Sequence, residues 1–197
     1  MLYTYEGLRP GDDLAMARPQ LIDREAVLDA GLAVADEHGL EAVTMRAVAE
    51  RLQVTQMALY RHVSNKADLL DGLVERLLLE LPTPDSELPW DLQLQKMAQG
   101  VRASAKRHAG IFPLLLQLPA NTPSARAVRD RVRAALSEAG VPDERIASAE
   151  RLISTSVLGF AASEVLGRFR GLSRAEIDRD FDLLQEMLLR GLQGLAI

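Results

Sequence analysis

The chain has 197 residues and no cysteine, which excludes disulfides, zinc–thiolate sites and thiol catalysis and fits a reducing compartment. Its length suits one or two compact units. The formal net charge of −5, taken as a sum, argues against a nucleic-acid partner.

Hydrophobic residues make up 48% and aromatic residues only 4%; Leu, Ala, Val, Glu and Arg dominate. That composition favours helices, and no alternating strand pattern, Asn-Gly or Asp-Gly hairpin signal interrupts it. The predicted fold class is all-α. Residues 1–20 hold Gly7, Pro10, Gly11, Pro19 and an Asp12-Asp13 pair, the composition of a flexible N-terminal arm. Arg9 and Arg18 could reach a minor groove from it; a plain disordered tail is the simpler alternative. No charged stretch leads into an apolar one at the N-terminus, and no apolar run approaches the ~18 residues of a membrane span. A soluble, cytoplasmic protein without a membrane partner is expected.

The first helix is predicted from Arg24 to His38. Asp23 caps it, Ile22 and Val27 can staple it, and Gly39 ends it. His38, at the helix end, is expected to be structural. The next stretch is the most informative. Thr44 is placed to cap a helix over Met45–Leu52, with Val43 and Val48 as its staple. Gln53-Val54 makes a turn. Thr55 caps a second helix over Gln56–Val63, with Val54 and Leu59 as staple. Leu59, Ala58 and Val63 face inward, leaving Gln56, Met57, Tyr60, Arg61 and His62 outward. Two short helices around a tight turn, the second with a polar and acid-free face, are how a helix-turn-helix presents a recognition helix to DNA. Gln can pair bidentately with adenine and Arg with guanine, while Tyr, His and Lys donate to phosphates. Amphipathic helix pairs of this spacing also occur as ordinary core.

Local charge bears on the choice. Residues 21–81 carry 6 Lys/Arg and 11 Asp/Glu, but between Thr44 and Lys66 stand Arg46, Arg51, Arg61 and Lys66 against Glu50 alone. The remaining acids fall on the flanking helices, where they should weaken non-specific DNA binding.

Residues 23–81 resemble the DNA-binding domain of the TetR family of bacterial transcriptional repressors. The resemblance rests on Leu-Tyr-Arg-His-Val-Ser-Asn-Lys-Ala-Asp-Leu-Leu at 59–70 and Gly-Leu-Glu-Ala-Val-Thr-Met-Arg at 39–46. It implies base reading by Arg46 and Gln56 and phosphate contacts from Tyr60, His62 and Lys66. Arg61 and Met57 are placed to touch bases or sugars, and Thr44, Thr55 and Ala58 complete the DNA-binding set. One departure is Gln53, where the family usually has Gly; a Gln there should strain or reshape the turn.

A further helix is predicted from Ser64 or Asn65 to about Leu81. Pro82, Pro84 and Pro89 then mark a linker at 82–89, dividing a helix-turn-helix domain (21–81) from a helical domain (90–197). Helices are expected at 90–108, 110–118, 122–139, 143–170 and 174–195, the last opened by a capping box at Ser173 and Glu176. This order of helices fits the ligand-binding and dimerisation domain that the resemblance implies.

Leu152, Ser156, Gly159 and Ser163 share one helical face, and Leu184, Met187, Leu188 and Leu192 another. By resemblance these build a two-fold, four-helix dimer interface; an intramolecular core stripe is the alternative. For an effector pocket, Met97, Val101, Phe112, Leu115, Leu116, Leu118, Val157 and Phe160 offer apolar walls. Gln117, Asn121, Thr155 and Ser156 offer polar contacts. Ordinary core is the alternative for each. His108 lies near the position of a drug-contacting His in the tetracycline repressor, so a ligand role is carried over to it. No phosphate loop, nucleophile elbow or metal-ligand cluster is found, so no cofactor, metal or catalytic residue is expected. The expected function is a ligand-responsive homodimeric repressor that binds a palindromic operator and is released by a small, mostly apolar effector. The alternative is a helical small-molecule-binding protein or enzyme in which the helix-turn-helix has a non-DNA role.

Overall fold

The computed structural model of the protein describes residues 22–82, 87–117 and 122–195, and among them all regular structure is helical. The N-terminal arm and part of the proline-rich linker lie outside the described residues. Four helices come first: α1 (Arg24–His38), α2 (Met45–Arg51), α3 (Gln56–Leu59) and α4 (Lys66–Leu79). Five follow: α5 (Trp90–Arg107), α6 (Leu114–Gln117), α7 (Pro123–Glu138), α8 (Asp143–Val165) and α9 (Arg174–Gln193). None is long and apolar enough to cross a membrane.

Side-chain caps set most N-termini. Asp23 accepts from the Ala26 N–H at 2.8 Å, Thr44 from Ala47 at 3.1 Å and Asn65 from Asp68 at 3.0 Å. The Ser173–Glu176 capping box is complete. Thr55 departs from expectation. Its hydroxyl makes no cap bond, because the Ala58 N–H that it would serve is taken by the Thr55 main-chain carbonyl at 2.9 Å. The same tight i→i−3 bonding continues through Arg61 and His62, so α3 ends at Leu59 rather than Val63.

Two C-terminal elements also differ from the predicted ones. The 110–118 helix shrinks to Leu114–Gln117, since residues 109–113 turn before Pro113. α8 stops at Val165, not residue 170. Gly167 takes φ 75°, and the N–H groups of Gly167 and Arg168 close back onto the carbonyls of Glu164 and Ser163. Gly140 ends α7 in the same way.

The core of the first four helices centres on Val27, Val48, Leu59, Leu69, Leu73 and Leu77, all fully buried. Each such side chain contributes about 1.5–3 kcal/mol through burial. α1 and α4 approach closely at Gly72, where an added Cβ would collide with Leu28. The core continues past the linker, because Ile111, Leu114 and Ala125 belong to it. At this junction Gly110 lies against the Ala35 carbonyl with no room for a side chain, and the Ser124 hydroxyl donates to Glu75.

α8 forms the spine of the C-terminal half, flanked by α5, α7 and α9. Arg102 of α5 joins three helices. Its guanidinium donates to both Glu164 oxygens (2.6 and 2.9 Å) and to Asp178 (2.7 Å), and it lies 4.7 Å from the Phe181 ring centroid. Burial pushes the Glu164 carboxyl up, but hydrogen bonds from Arg102 and Lys106 outweigh it and hold the group below the ordinary carboxylate value.

Candidate nucleic-acid interface and ligand cavity

The turn between α2 and α3 is built on a strained residue. Gln53 has φ 56°, the only positive φ outside glycine among the described residues. Its N–H bonds the Glu50 carbonyl, and Val54 bonds Ala49, the same closure that Gly140 and Gly167 make. Val54 and Leu59 then turn into the core. This aims α3 outward. Thr44, Arg46, Thr55, Gln56, Met57, Tyr60, Arg61 and Lys66 are all exposed, and Ala58 and His62 are half-buried. Met57 is 73% exposed, which has no packing rationale within the chain.

Two ion pairs not apparent from the sequence brace this face. Arg24 of α1 donates to the His62 carbonyl (2.7 Å) and to Asp68 (2.6 Å), while Asp68 also accepts the Ser64 N–H (2.7 Å). The Arg24 bond, then that of Ser64, hold the Asp68 carboxyl below its ordinary value. Arg51 makes a two-pronged contact with Glu37 of α1 (2.7 and 2.8 Å). Arg51 therefore turns to the back of the domain and leaves the basic face to Arg46, Arg61 and Lys66. Arg46 itself donates to Glu50 at 2.7 Å, one helical turn along.

A cavity of about 280 Å³ opens where the last turn of α4 meets α5, α7 and α8. Of the sequence candidates, Met97, Val101, Phe112, Leu115 and Val157 line it. The other described candidates lie elsewhere. Leu116 is 49% exposed, and Gln117 and Thr155 are exposed. Ser156 donates to the Leu152 carbonyl at 2.7 Å. Phe160 packs at a tilt against Phe169 and Phe181, with ring centroids 5.0 and 5.2 Å away. Asn121 and Leu118 lie outside the described residues. His108 is buried at the junction instead: Nδ1 is 2.8 Å from Asp36 of α1 and Nε2 3.0 Å from Glu80 after α4. Leu78 in the last turn of α4, Leu81 just after it, and the polar residues Arg129, Arg131, Glu150 and Ser154 also line the cavity, and sequence reasoning missed them. Glu150 carried one signal. It stands at helical spacing within the apolar stripe Ile146, Ile153, Val157, where a solvated acid does not belong.

The expected dimer residues divide. Leu152 (68%) and Met187 (64%) are exposed, and an added Cβ at Gly159 would meet open space. Ser156, Ser163, Leu184 and Leu188 are half-buried. Leu192 is only 3% exposed, packed within its own chain in the cluster of Leu94 and Leu136, so it offers no surface to a partner.

Sequence models of two families match this chain: bacterial regulatory proteins, tetR family, over residues 27–73, and tetracyclin repressor-like, C-terminal domain, over residues 94–188. The chain is 31% identical over 174 residues to the HTH-type transcriptional repressor DrrR1 of Streptomyces coeruleorubidus, covering 85% of this chain and 64% of that one. It spans about half the length of several tetracycline repressors that it also matches. In structure it is similar to a single-residue variant of TetR from Acinetobacter baumannii in complex with minocycline, with TM-score 0.78, 26% identity and coverage of 89% of this chain and 99% of that one. It is similar as well to BioQ of Mycobacterium smegmatis, with TM-score 0.76, 26% identity and coverage of 88% and 99%. BioQ also has a structure with its double-stranded DNA operator. The two sequence models together span both the helix-turn-helix and the helices around the cavity: the chain belongs to the TetR family of bacterial regulatory proteins.

Proposed function

We propose that the protein is a homodimeric, ligand-responsive transcriptional repressor. The carrying observation is the exposed face of α3 and the start of α2, where Arg46, Gln56, Met57, Tyr60, Arg61 and Lys66 surround a recognition helix that buries only Leu59. Gln56 and Arg46 read base edges in the major groove, and Tyr60, His62 and Lys66 hold phosphates. The exposed stripes of α8 and α9, with Leu152 and Met187, pair two copies. A two-fold dimer sets two recognition helices about 34–36 Å apart, which demands a palindromic operator.

The cavity takes a small, mostly apolar effector. Because Leu78 and Leu81 form part of its wall, an occupant changes the position of α4 and with it the helix-turn-helix. The effector releases DNA by preferring the non-DNA form, with coupling of about 1–3 kcal/mol. The binding of BioQ to an operator and of the Acinetobacter repressor to minocycline supports both halves of this reading.

Selection of bound duplexes from a random DNA pool, at stated salt, tests it. A two-fold palindrome is expected. A folded dimer that enriches no sequence overturns DNA recognition by this face.

A further inference from the structure

The cavity is not uniformly apolar. Glu150 of α8 is 3% exposed and lines it. Its Oε1 accepts from the Ser154 hydroxyl at 3.1 Å, and Ser154 lines the cavity too. Its other oxygen lies 3.6 Å from Arg133 Nη2, beyond hydrogen-bond range. Arg133 does not close the gap, and its own Nε is buried without a hydrogen-bond partner. A carboxylate can accept about four hydrogen bonds, and leaving a buried one short of partners is costly. Glu150 has one neutral donor and one loosely placed cation.

The other charged groups of the wall are differently engaged. Arg129 and Arg131 are half-buried and already have partners, Arg131 donating from Nε to the Ala127 carbonyl. The rest of the wall, including Leu94, Met97, Phe112 and Val157, offers no hydrogen-bonding side chain. The cavity thus joins an apolar space to one under-supplied acidic acceptor.

We infer that the effector is a lipophilic amine: a compact apolar body with one protonated nitrogen that donates to Glu150. The nitrogen supplies the charge-assisted hydrogen bond that Ser154 and Arg133 leave unmade. The body fills the space between Met97, Phe112 and Val157, and a volume of about 280 Å³ suits one or two rings. The inference rests on reading the cavity as the effector site.

The test is calorimetric titration of the full chain with three probes of one shape: 2-naphthylmethylamine, 2-naphthylmethanol and 2-naphthoate. The amine is expected to bind at least about tenfold more tightly than the alcohol, with naphthoate weakest. Glu150→Gln keeps the size of the side chain and removes its charge. It should weaken the amine at least about tenfold and weaken the alcohol, which offers a neutral donor, much less. Equal binding of amine and alcohol by the unaltered protein, which needs no variant to fold, overturns amine selection and leaves the effector reading intact. So does an amine affinity unmoved in Glu150→Gln. Failure of all three probes to bind overturns both.

Discussion

Arg24, in the first turn of α1, donates from Nη1 to the main-chain carbonyl of His62 at 2.7 Å, across 38 residues of sequence. Its other nitrogen holds Asp68 at the start of α4, so one guanidinium closes the corner where the chain leaves α3. Arg24→Ala should cost about 1 kcal/mol of stability, because the pair is partly exposed. It should also weaken operator binding while the protein stays dimeric, as seen by thermal melts, DNA titration and sedimentation. Full operator affinity in a destabilised variant would show that the corner braces the fold alone.

The strained turn gives a substitution expected to stabilise. Gln53 occupies the position where Gly140 and Gly167 end other helices, and holding φ 56° costs a non-glycine residue about 1 kcal/mol. Glycine relieves this but adds freedom to the unfolded chain. The net gain for Gln53→Gly should be about 0.5 kcal/mol, or roughly 1–2 °C in Tm for a chain of this size. A lower melting temperature would mean that the Gln53 side chain makes a compensating contact.

The base reading proposed for Arg46 and Gln56 is separable from folding, since both side chains are exposed. The double variant Arg46→Ala with Gln56→Ala should lose sequence preference, at about 1–3 kcal/mol per bidentate contact, with fold and dimer intact. Glu50→Gln releases Arg46 from its ion pair and should raise affinity for any DNA, steepening the salt dependence by about one unit. Operator affinity unchanged in the double variant would remove these two residues from the reading.

The two leucines at opposite ends of the exposure range separate core from interface. Leu192→Asp buries a charge among Leu94 and Leu136 and should unfold the protein. Leu152→Asp and Met187→Asp lie on exposed stripes and should leave a folded monomer, seen by sedimentation and circular dichroism. A dimer surviving both exposed substitutions would place the two-fold contact elsewhere.

Acid should act through the Arg102 cluster. Glu164 is depressed in the folded state, so its stabilisation is complete above its ordinary value of 4.5 and is lost as pH falls through the lower folded value. Urea midpoints should therefore fall with pH below about 4.5, and Glu164→Gln should flatten that limb. Arg102→Ala should cost about 3 kcal/mol near neutral pH, since it leaves Glu164 with Lys106 alone.

Local chemistry made much of this legible. Asp23, Thr44 and the Ser173–Glu176 pair marked helix starts that the structure keeps, because caps act within one turn. The outward set on α3 followed from the inward demand of Leu59, and the missing glycine announced the strain at Gln53. What stayed hidden depends on partners far along the chain. Arg51 spends its charge on Glu37, and His108 meets Asp36 and Glu80, across separations that no periodicity encodes. The length of α3 was missed for another reason: carbonyls three residues back took the donors, which composition does not reveal. The acid in the cavity was visible as a misfit in an apolar stripe, but its meaning needed the wall around it.

The close approach at Gly72 has a mechanical consequence. Leu28 seated where a side chain would be, and Arg76 tied to Asp29, both oppose sliding of α1 past α4. Arg24 and Arg51 tie α3 and α2 to this pair of helices, so the four are held as one unit. α4 has 14 residues and is about 21 Å long, so a tilt of roughly 10° at its cavity end carries the far end about 3–4 Å. That is close to one base-pair step (about 3.4 Å). On the proposed reading, an effector of one or two rings that tilted α4 by this much at its cavity end would shift each recognition helix by about one base-pair step.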